Sequence, residues 1–224
     1  MIDGNEKVEI PQPDFLLNLN KQQKEAVLNT EGPLLVLSGA GTGKTRVLTT
    51  RLANIIYSRK ARISDILCVT FTNKAALEMK LRVEKLIKNP VEGMFIGTFH
   101  SIGARFLRRH SEYVNLNNDF TILDTDDQLR LIKQICVSLE LDKKEHIPKS
   151  YLYMIDQMKN NGLTFDAIGN HDFEHKTGGK LSTIYKLYQE RLKNYNSVDF
   201  GDLIMLPMKI LKENNKILDQ YKKK

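Results

Sequence analysis

An α/β fold, a parallel sheet flanked by helices and carrying an inserted α-helical part, is what this sequence predicts, on three observations. Apolar runs at Leu34-Leu35-Val36-Leu37, Ile66-Leu67-Cys68-Val69-Thr70-Phe71 and Met94-Phe95-Ile96-Gly97 alternate with stretches of helical period. A glycine-rich turn sits between the first run and the helical pattern that follows it. Past residue 112 the alternation stops and helical periodicity takes over. Buried strands separated by helices indicate a parallel sheet, because each crossover helix covers one of its faces.

The elements follow in order. Residues 1–16 carry Pro11 and Pro13 and no periodicity, and read as a flexible tail. Leu19 to Leu28 predicts a short helix with Asn20 as its N-cap. After the first strand and its glycine turn, Arg46 to Leu52 begins a helix. The second strand is bounded by Asn73, read as the cap of a helix through about Ile87. The third strand leads to Thr98, which opens a helix reaching about His110. Phe120 to Leu123 predicts one more short strand, and helices are expected over 126–139, 149–160, 181–195 and 202–214. The polar segment around Gly169 to Gly179 reads as a floppy connection.

The glycine turn carries the chemistry. Ser38-Gly39-Ala40-Gly41-Thr42-Gly43-Lys44-Thr45, between a strand and a helix, has the composition and context of a phosphate-binding loop. Glycines let successive backbone N–H groups turn toward phosphate oxygens at the positive end of the next helix. Lys44 is placed to reach the β- and γ-phosphates, and the Thr45 hydroxyl to ligate Mg²⁺. The strict pattern asks for glycine at position 38, where any small residue serves. These residues predict binding of a nucleoside triphosphate, with ATP and Mg²⁺ as the cofactors.

Composition narrows the class. The chain has 224 residues, 41% apolar and 27% charged, as an ordinary globular protein does. No apolar run approaches the roughly 18 residues of a membrane span, and the N-terminus lacks the pattern of a secretory signal. Cys68 and Cys136 stand alone, without metal spacing, and read as core residues of a protein in a reducing compartment, the cytoplasm. The net charge is +7, of which Lys222-Lys223-Lys224 supply three, so basicity only mildly favours a polyanionic partner.

Several segments in this order resemble superfamily 1 DNA helicases of the UvrD/Rep/PcrA type, from near Leu19 to the C-terminus. Leu19-Asn20-x-x-Gln23-x-x-Ala26-Val27 is similar to the glutamine motif of that family, which implies that Gln23 reads the adenine; an amide suits the adenine N6 and N7. Arg46 matches the arginine that lies near the base. Val69-Thr70-Phe71-Thr72-Asn73-Lys74-Ala75-Ala76-x-Glu78-Met79 resembles the motif after the second strand, and Gly97-Thr98-Phe99-His100-Ser101 the next one. The resemblance implies single-stranded DNA contacts by Thr70, Phe71, Thr72, Asn73, Thr98, Phe99 and His100. The residue chemistry agrees: aromatics stack on bases, while hydroxyls, amide and helix N-termini hold phosphates at the C-terminal edge of a parallel sheet. Arg105, Arg108 and Arg109 either neutralise phosphates or form a solvated face. Ser197-Val198-Asp199-Phe200-x-Asp202-Leu203 resembles the segment where the chain returns to its first subdomain.

What the resemblance implies is a RecA-like P-loop subdomain, called 1A, over 17–112, a helical subdomain 1B over 113–195, and a return into 1A over 196–224. It implies a 3′–5′ helicase and translocase acting on single-stranded or 3′-tailed duplex DNA. The magnesium-supporting carboxylate and the base for the attacking water belong, in that family, to a strand expected just past residue 220, so the chain reads as an N-terminal part without hydrolytic competence. Two alternatives remain at this point: a degenerate nucleotide- or DNA-binding module, and a P-loop kinase. Three other patterns are set aside. Asp199-Phe200-Gly201 lacks the remaining kinase signatures. His171-x-x-Glu174-His175 is flanked by helix breakers, against a zinc site. Asp124 fits a helix cap better than a metal ligand.

Overall fold

The computed structural model describes residues 13–142, 144–169 and 171–223. The chain divides into two compact units, Met1–Gly97 and Thr98–Lys224.

The first unit is mixed α/β. A 3-10 turn, Asp14–Leu16, buries Leu16 with Val27 and Val47; residues 1–12 of the expected tail lie outside the described residues. Helix α1 (Lys21–Leu28) starts at a full capping box: Asn20 accepts from the Gln23 N–H, and Gln23 in turn accepts from the Asn20 N–H. Helix α2 (Lys44–Tyr57) grips the other end of α1. Arg51 donates to the carbonyls of Ala26 and Asn29, and the Asn54 amide to Val27 O at 3.3 Å. Those are the carbonyls a helix C-terminus leaves open. Strand β1 (Leu67–Val69), helix α3 (Asn73–Ile87) and strand β2 (Phe95–Gly97) complete the unit, with β1 and β2 parallel and Val69 opposite Gly97. Leu52, Cys68, Met79, Val83, Val91 and Met94 form its core.

Two expectations are corrected here. Thr72, not Asn73, is the N-cap of α3; its hydroxyl accepts from Ala75 N at 3.1 Å, and Asn73 is the first helical residue. The strand expected over 34–37 makes no ladder among the described residues. Its side chains keep the two-residue period, with exposures of 38, 80, 43 and 85% from Leu34 to Leu37. A strand is defined by its hydrogen-bonded neighbour, and here the pattern is present while the neighbour is not.

The second unit is mostly helical. Helix α4 (Phe99–Arg109) is capped by Thr98. Strand β3 (Thr121–Ile122) is followed by helices α5 (Thr125–Ser138), α6 (Pro148–Asn160), α7 (Asp172–Lys176) and α8 (Leu181–Asn194). Strand β4 (Ser197–Val198) pairs with β3 in parallel and leads into helices α9 (Asp202–Glu213) and α10 (Asn215–Lys222). Asp124 caps α5, as its spacing predicts. The segment read as floppy contains α7, whose Glu174 accepts from the Ser182 N–H and hydroxyl and so ties it to the start of α8. One core, including Ile132, Ile135, Ile155, Met158, Ile184, Tyr185 and Tyr188, holds α5, α6 and α8 together. A second joins Phe106, Leu107 and Phe120 to Leu203 and Ile210.

Among the described residues the strands form two parallel pairs, β1–β2 and β3–β4, in a mixed α/β chain that is mostly helix. Among the described residues no helix is long and apolar enough to cross a membrane.

Candidate functional site

Ser38 to Gly43 form a loop that ends where α2 begins at Lys44. Gly41 and Gly43 have φ of 75° and 88°, in the region that favours glycine, and this is what lets the loop reverse tightly onto the helix. A Cβ at Gly43 would also sit 3.0 Å from Gln23 Nε2. No side chain caps α2, so the N–H groups of its first turn, at Lys44, Thr45 and Arg46, face outward as a positive helix end. The loop is braced from within: Lys44 Nζ donates to the carbonyls of Ser38 and Gly39 at 3.0 Å each, and Thr42 Oγ1 to Gly39 O at 2.8 Å. Thr45 and Arg46 are exposed on the first turn of α2.

Gln23 stands against this loop. Its Nε2 donates to Thr42 O at 3.1 Å, while its Oε1 is the acceptor of the capping box. Together with Asn20, Ala26, Val36, Leu37, Ser38, Lys44 and Val47 it lines a cavity of about 230 Å³ beside the loop. The Arg51 and Asn54 bonds set α1 on α2, and that docking brings Gln23 to the loop. Lys44, with its ammonium and three donors, has an anion's chemistry to meet. The Thr45 hydroxyl is exposed on the same helical turn as Lys44, and the residues lining the cavity are neutral apart from Lys44.

At the ends of β1 and β2 the chain turns outward. Thr70 N extends the ladder to Gly97 O at 2.9 Å, and Thr70 Oγ1 donates to Thr72 O at 3.0 Å. Phe71 between them is fully exposed, at 101%. An aromatic ring left entirely in water gains nothing for the fold and is open to stack on a planar group. Asn73 starts α3.

In the second unit, Thr98 caps α4 by accepting from Ser101 N at 3.2 Å, with Phe99 and His100 exposed on its first turn. His100 meets Phe200 edge-to-face, with ring centroids 5.6 Å apart. Phe200, 48% exposed in the turn before α9, was not singled out from the sequence as part of this cluster. Its signal was present, an aromatic in a short polar turn, but only the tertiary fold brings it to His100. Arg108 is exposed and already engaged with the chain: its guanidinium donates to Asn118 O at 2.6 Å and Phe120 O at 3.2 Å and lies 4.3 Å over the Phe120 ring. It clamps the loop before β3.

Next to Phe200 lies a buried charge cluster. Lys159 of α6 donates to Asp199 Oδ2 at 2.6 Å and to Asp202 Oδ1 at 2.8 Å. Tyr188 donates to Asp199 Oδ2 at 2.9 Å and Gln189 Nε2 to Asp202 Oδ1 at 3.2 Å. Burial alone raises a carboxyl's pKa and lowers an ammonium's. At Asp199 the Lys159 charge, the Asp202 N–H and the Tyr188 hydroxyl outweigh burial, so its pKa is lowered. At Asp202 burial and the charge of Asp199 prevail and push it up to about 6. The Lys159 ammonium is held above its ordinary value by the two carboxylates despite burial.

The profile of a family described as the UvrD/REP helicase N-terminal domain matches residues 19–224. A probable DNA helicase II homolog of Rickettsia conorii is 46% identical over 213 residues, covering 94% of this chain and 32% of that protein. A DNA helicase II of Rickettsia typhi is 44% identical over 221 residues, covering 97% of this chain and 33% of the relative. The ATP-dependent DNA helicase PcrA of Bacillus subtilis is 41% identical over 214 residues, 94% of this chain and 28% of that protein. The chain thus spans about a third of the length of these relatives. With the glycine loop, the glutamine beside it and the motifs at the strand ends all inside the matched region, the chain belongs to the family of UvrD/REP helicase N-terminal domains.

Proposed function

We propose that this chain is the ATP-binding N-terminal region of an ATP-dependent 3′–5′ DNA helicase and single-stranded-DNA translocase. One observation carries the nucleotide part: a loop reversed at Gly41 and Gly43 presents Lys44 and an uncapped α2 N-terminus beside a cavity that holds Gln23. In this reading Ser38 to Thr45 bind the phosphates, Lys44 and Thr45 serve the reacting end with Thr45 as a Mg²⁺ ligand, and Gln23 and Arg46 face the base. ATP supplies the phosphoryl group; the chain's own residues bind and orient it. Titration calorimetry with ADP tests this. Wild type is expected to bind and Lys44→Ala to bind at least tenfold less well; equal affinity would end the assignment.

The nucleic-acid part rests on exposed aromatics beside caps and hydroxyls. Thr70, Phe71, Thr72 and Asn73 in the first unit, and Thr98, Phe99 and His100 in the second, contact single-stranded DNA or the tail of a 3′-tailed duplex. Phe200 joins the second set through its contact with His100. Anisotropy of a labelled oligothymidylate should weaken in Phe71→Ala at every salt concentration, because stacking is largely insensitive to salt. We further propose that 17–112 and 196–224 belong to a RecA-like subdomain 1A and 113–195 to subdomain 1B, in a cytoplasmic protein.

A second reading, a module that binds nucleotide and DNA weakly without hydrolysis or unwinding, describes this chain by itself. It is favoured by the absence of any carboxylate among the residues lining the loop cavity.

A further inference from the structure

Lys159 sits in α6, a helix that carries none of the candidate site residues, yet its ammonium is wholly buried in the turn that bears Phe200. We propose that Lys159 is a positioning residue for the nucleic-acid surface of the second unit, fixing the turn from Asp199 to Asp202 and with it the Phe200 ring against His100. This rests on the reading that His100 and Phe200 contact DNA.

Four features of the turn carry it. Lys159 bonds the residues on both sides of Phe200, Asp199 and Asp202, so the span between them is pinned at its two ends. The turn closes on itself: Asp202 N donates to Asp199 Oδ1 at 2.9 Å and Asp199 N to Asp202 Oδ2 at 3.3 Å. Gly201 leaves room for the lysine stem; a Cβ there would lie 2.7 Å from Lys159 Cδ and 2.9 Å from its Cβ. Tyr188 and Gln189 hold the carboxylates from α8, and the ammonium lies 5.3 Å from the Tyr188 ring centre.

Stability alone does not call for this arrangement. Well-packed apolar residues of similar volume replace buried ion pairs with little loss, and often with gain. Directional bonds do what apolar packing does not, namely hold one backbone geometry. Phe200 is half exposed, so its own burial cannot orient it. The ring's direction follows from the backbone of the turn, and that backbone is held by Lys159.

The chain contains no tryptophan, so Phe200→Trp introduces a single indole reporter into the full chain. Lys159→Met in that background is compared with its parent at a temperature where circular dichroism shows both folded. The introduced indole is expected to show lower fluorescence anisotropy and stronger acrylamide quenching. Affinity for labelled oligothymidylate should fall about fivefold, the lower end of what one stacked base contributes. A merely structural lysine would lower the melting temperature and leave these signals unmoved, and that result would overturn the proposal. Should Lys159→Met not fold, Tyr188→Phe removes one hydrogen bond to Asp199 and keeps the ring; a smaller change in the same direction is expected, and none would refute the assignment. If the indole responds to Lys159→Met but not to added oligothymidylate, the DNA reading falls and the coupling of Lys159 to the turn stands.

Discussion

Gln23 commits one amide to two pieces of structure, its oxygen to the cap of α1 and its nitrogen to the loop carbonyl of Thr42. An amide oxygen has a second lone pair and the NH₂ a second hydrogen, so a base can be read without breaking either bond. Asn20→Ala and Gln23→Ala separate the two duties. Asn20→Ala removes the N-cap bond and should cost about 1 kcal/mol in urea denaturation, whereas Gln23→Ala keeps the backbone N–H that Asn20 caps and should cost less; only Gln23→Ala should also weaken ADP binding severalfold. Asp199 and Asp202 give a second residue-scale prediction. Asp202 titrates at about 6 when folded, against an ordinary carboxylate value of 3.8. Between those values the folded state holds the extra proton, so ionisation of Asp202 weakens the fold as pH rises through this window. Asp202→Asn should flatten the dependence of melting temperature on pH there and cost little near neutrality. Asp199, with its pKa lowered, contributes in the opposite sense: its stabilisation is present above 3.8 and lost as pH falls through the depressed value. Asp199→Asn should therefore destabilise near neutrality, by about 3 kcal/mol for a broken buried pair.

Helices α4 and α9 approach so closely that a Cβ at Gly103 would lie 1.9 Å from Leu203 O. A backbone oxygen cannot swing aside as a side chain does, so Gly103→Ala must push the two helices apart. The expected loss is about 2–3 kcal/mol or more from overpacking, and a denaturation curve that matches wild type would show that α9 lies elsewhere. Arg108 belongs to the same scale. Arg108→Ala should lower stability by releasing the carbonyls of Asn118 and Phe120, while leaving the salt dependence of oligonucleotide binding as it is in wild type. The opposite outcome, an unchanged melting temperature with a shallower salt slope, would return Arg108 to the phosphates.

For the whole molecule the expectation is binding without turnover. Phosphoryl transfer draws its rate from charges placed around the transferring group, and the charge that the lining of the loop cavity supplies is Lys44, whose Nζ donates to the Ser38 and Gly39 carbonyls. A phosphate-release assay on residues 1–224 should show no DNA-stimulated activity above a Lys44→Ala control. Turnover that depends on Lys44 would require a metal-supporting carboxylate elsewhere in the chain.

The glycine loop, the helix it opens and the caps at Asn20, Thr98 and Asp124 were legible in the sequence, because each depends on residues within a few positions of one another. Cap identity failed by one residue at Thr72, where two neighbouring residues have the same capping chemistry. Local pattern also marked Leu34 to Leu37 as strand-like through its two-residue period, yet a ladder needs a neighbour, and pattern alone does not supply one. The tertiary structure decided the rest. It brought Phe200 to His100, laid Arg108 across the carbonyls of Asn118 and Phe120, and sank Lys159 between Asp199 and Asp202, residues some forty positions away in the chain. Local bonds are encoded by near neighbours, whereas a buried ion's partners are chosen by how helices pack, which no short stretch of sequence contains.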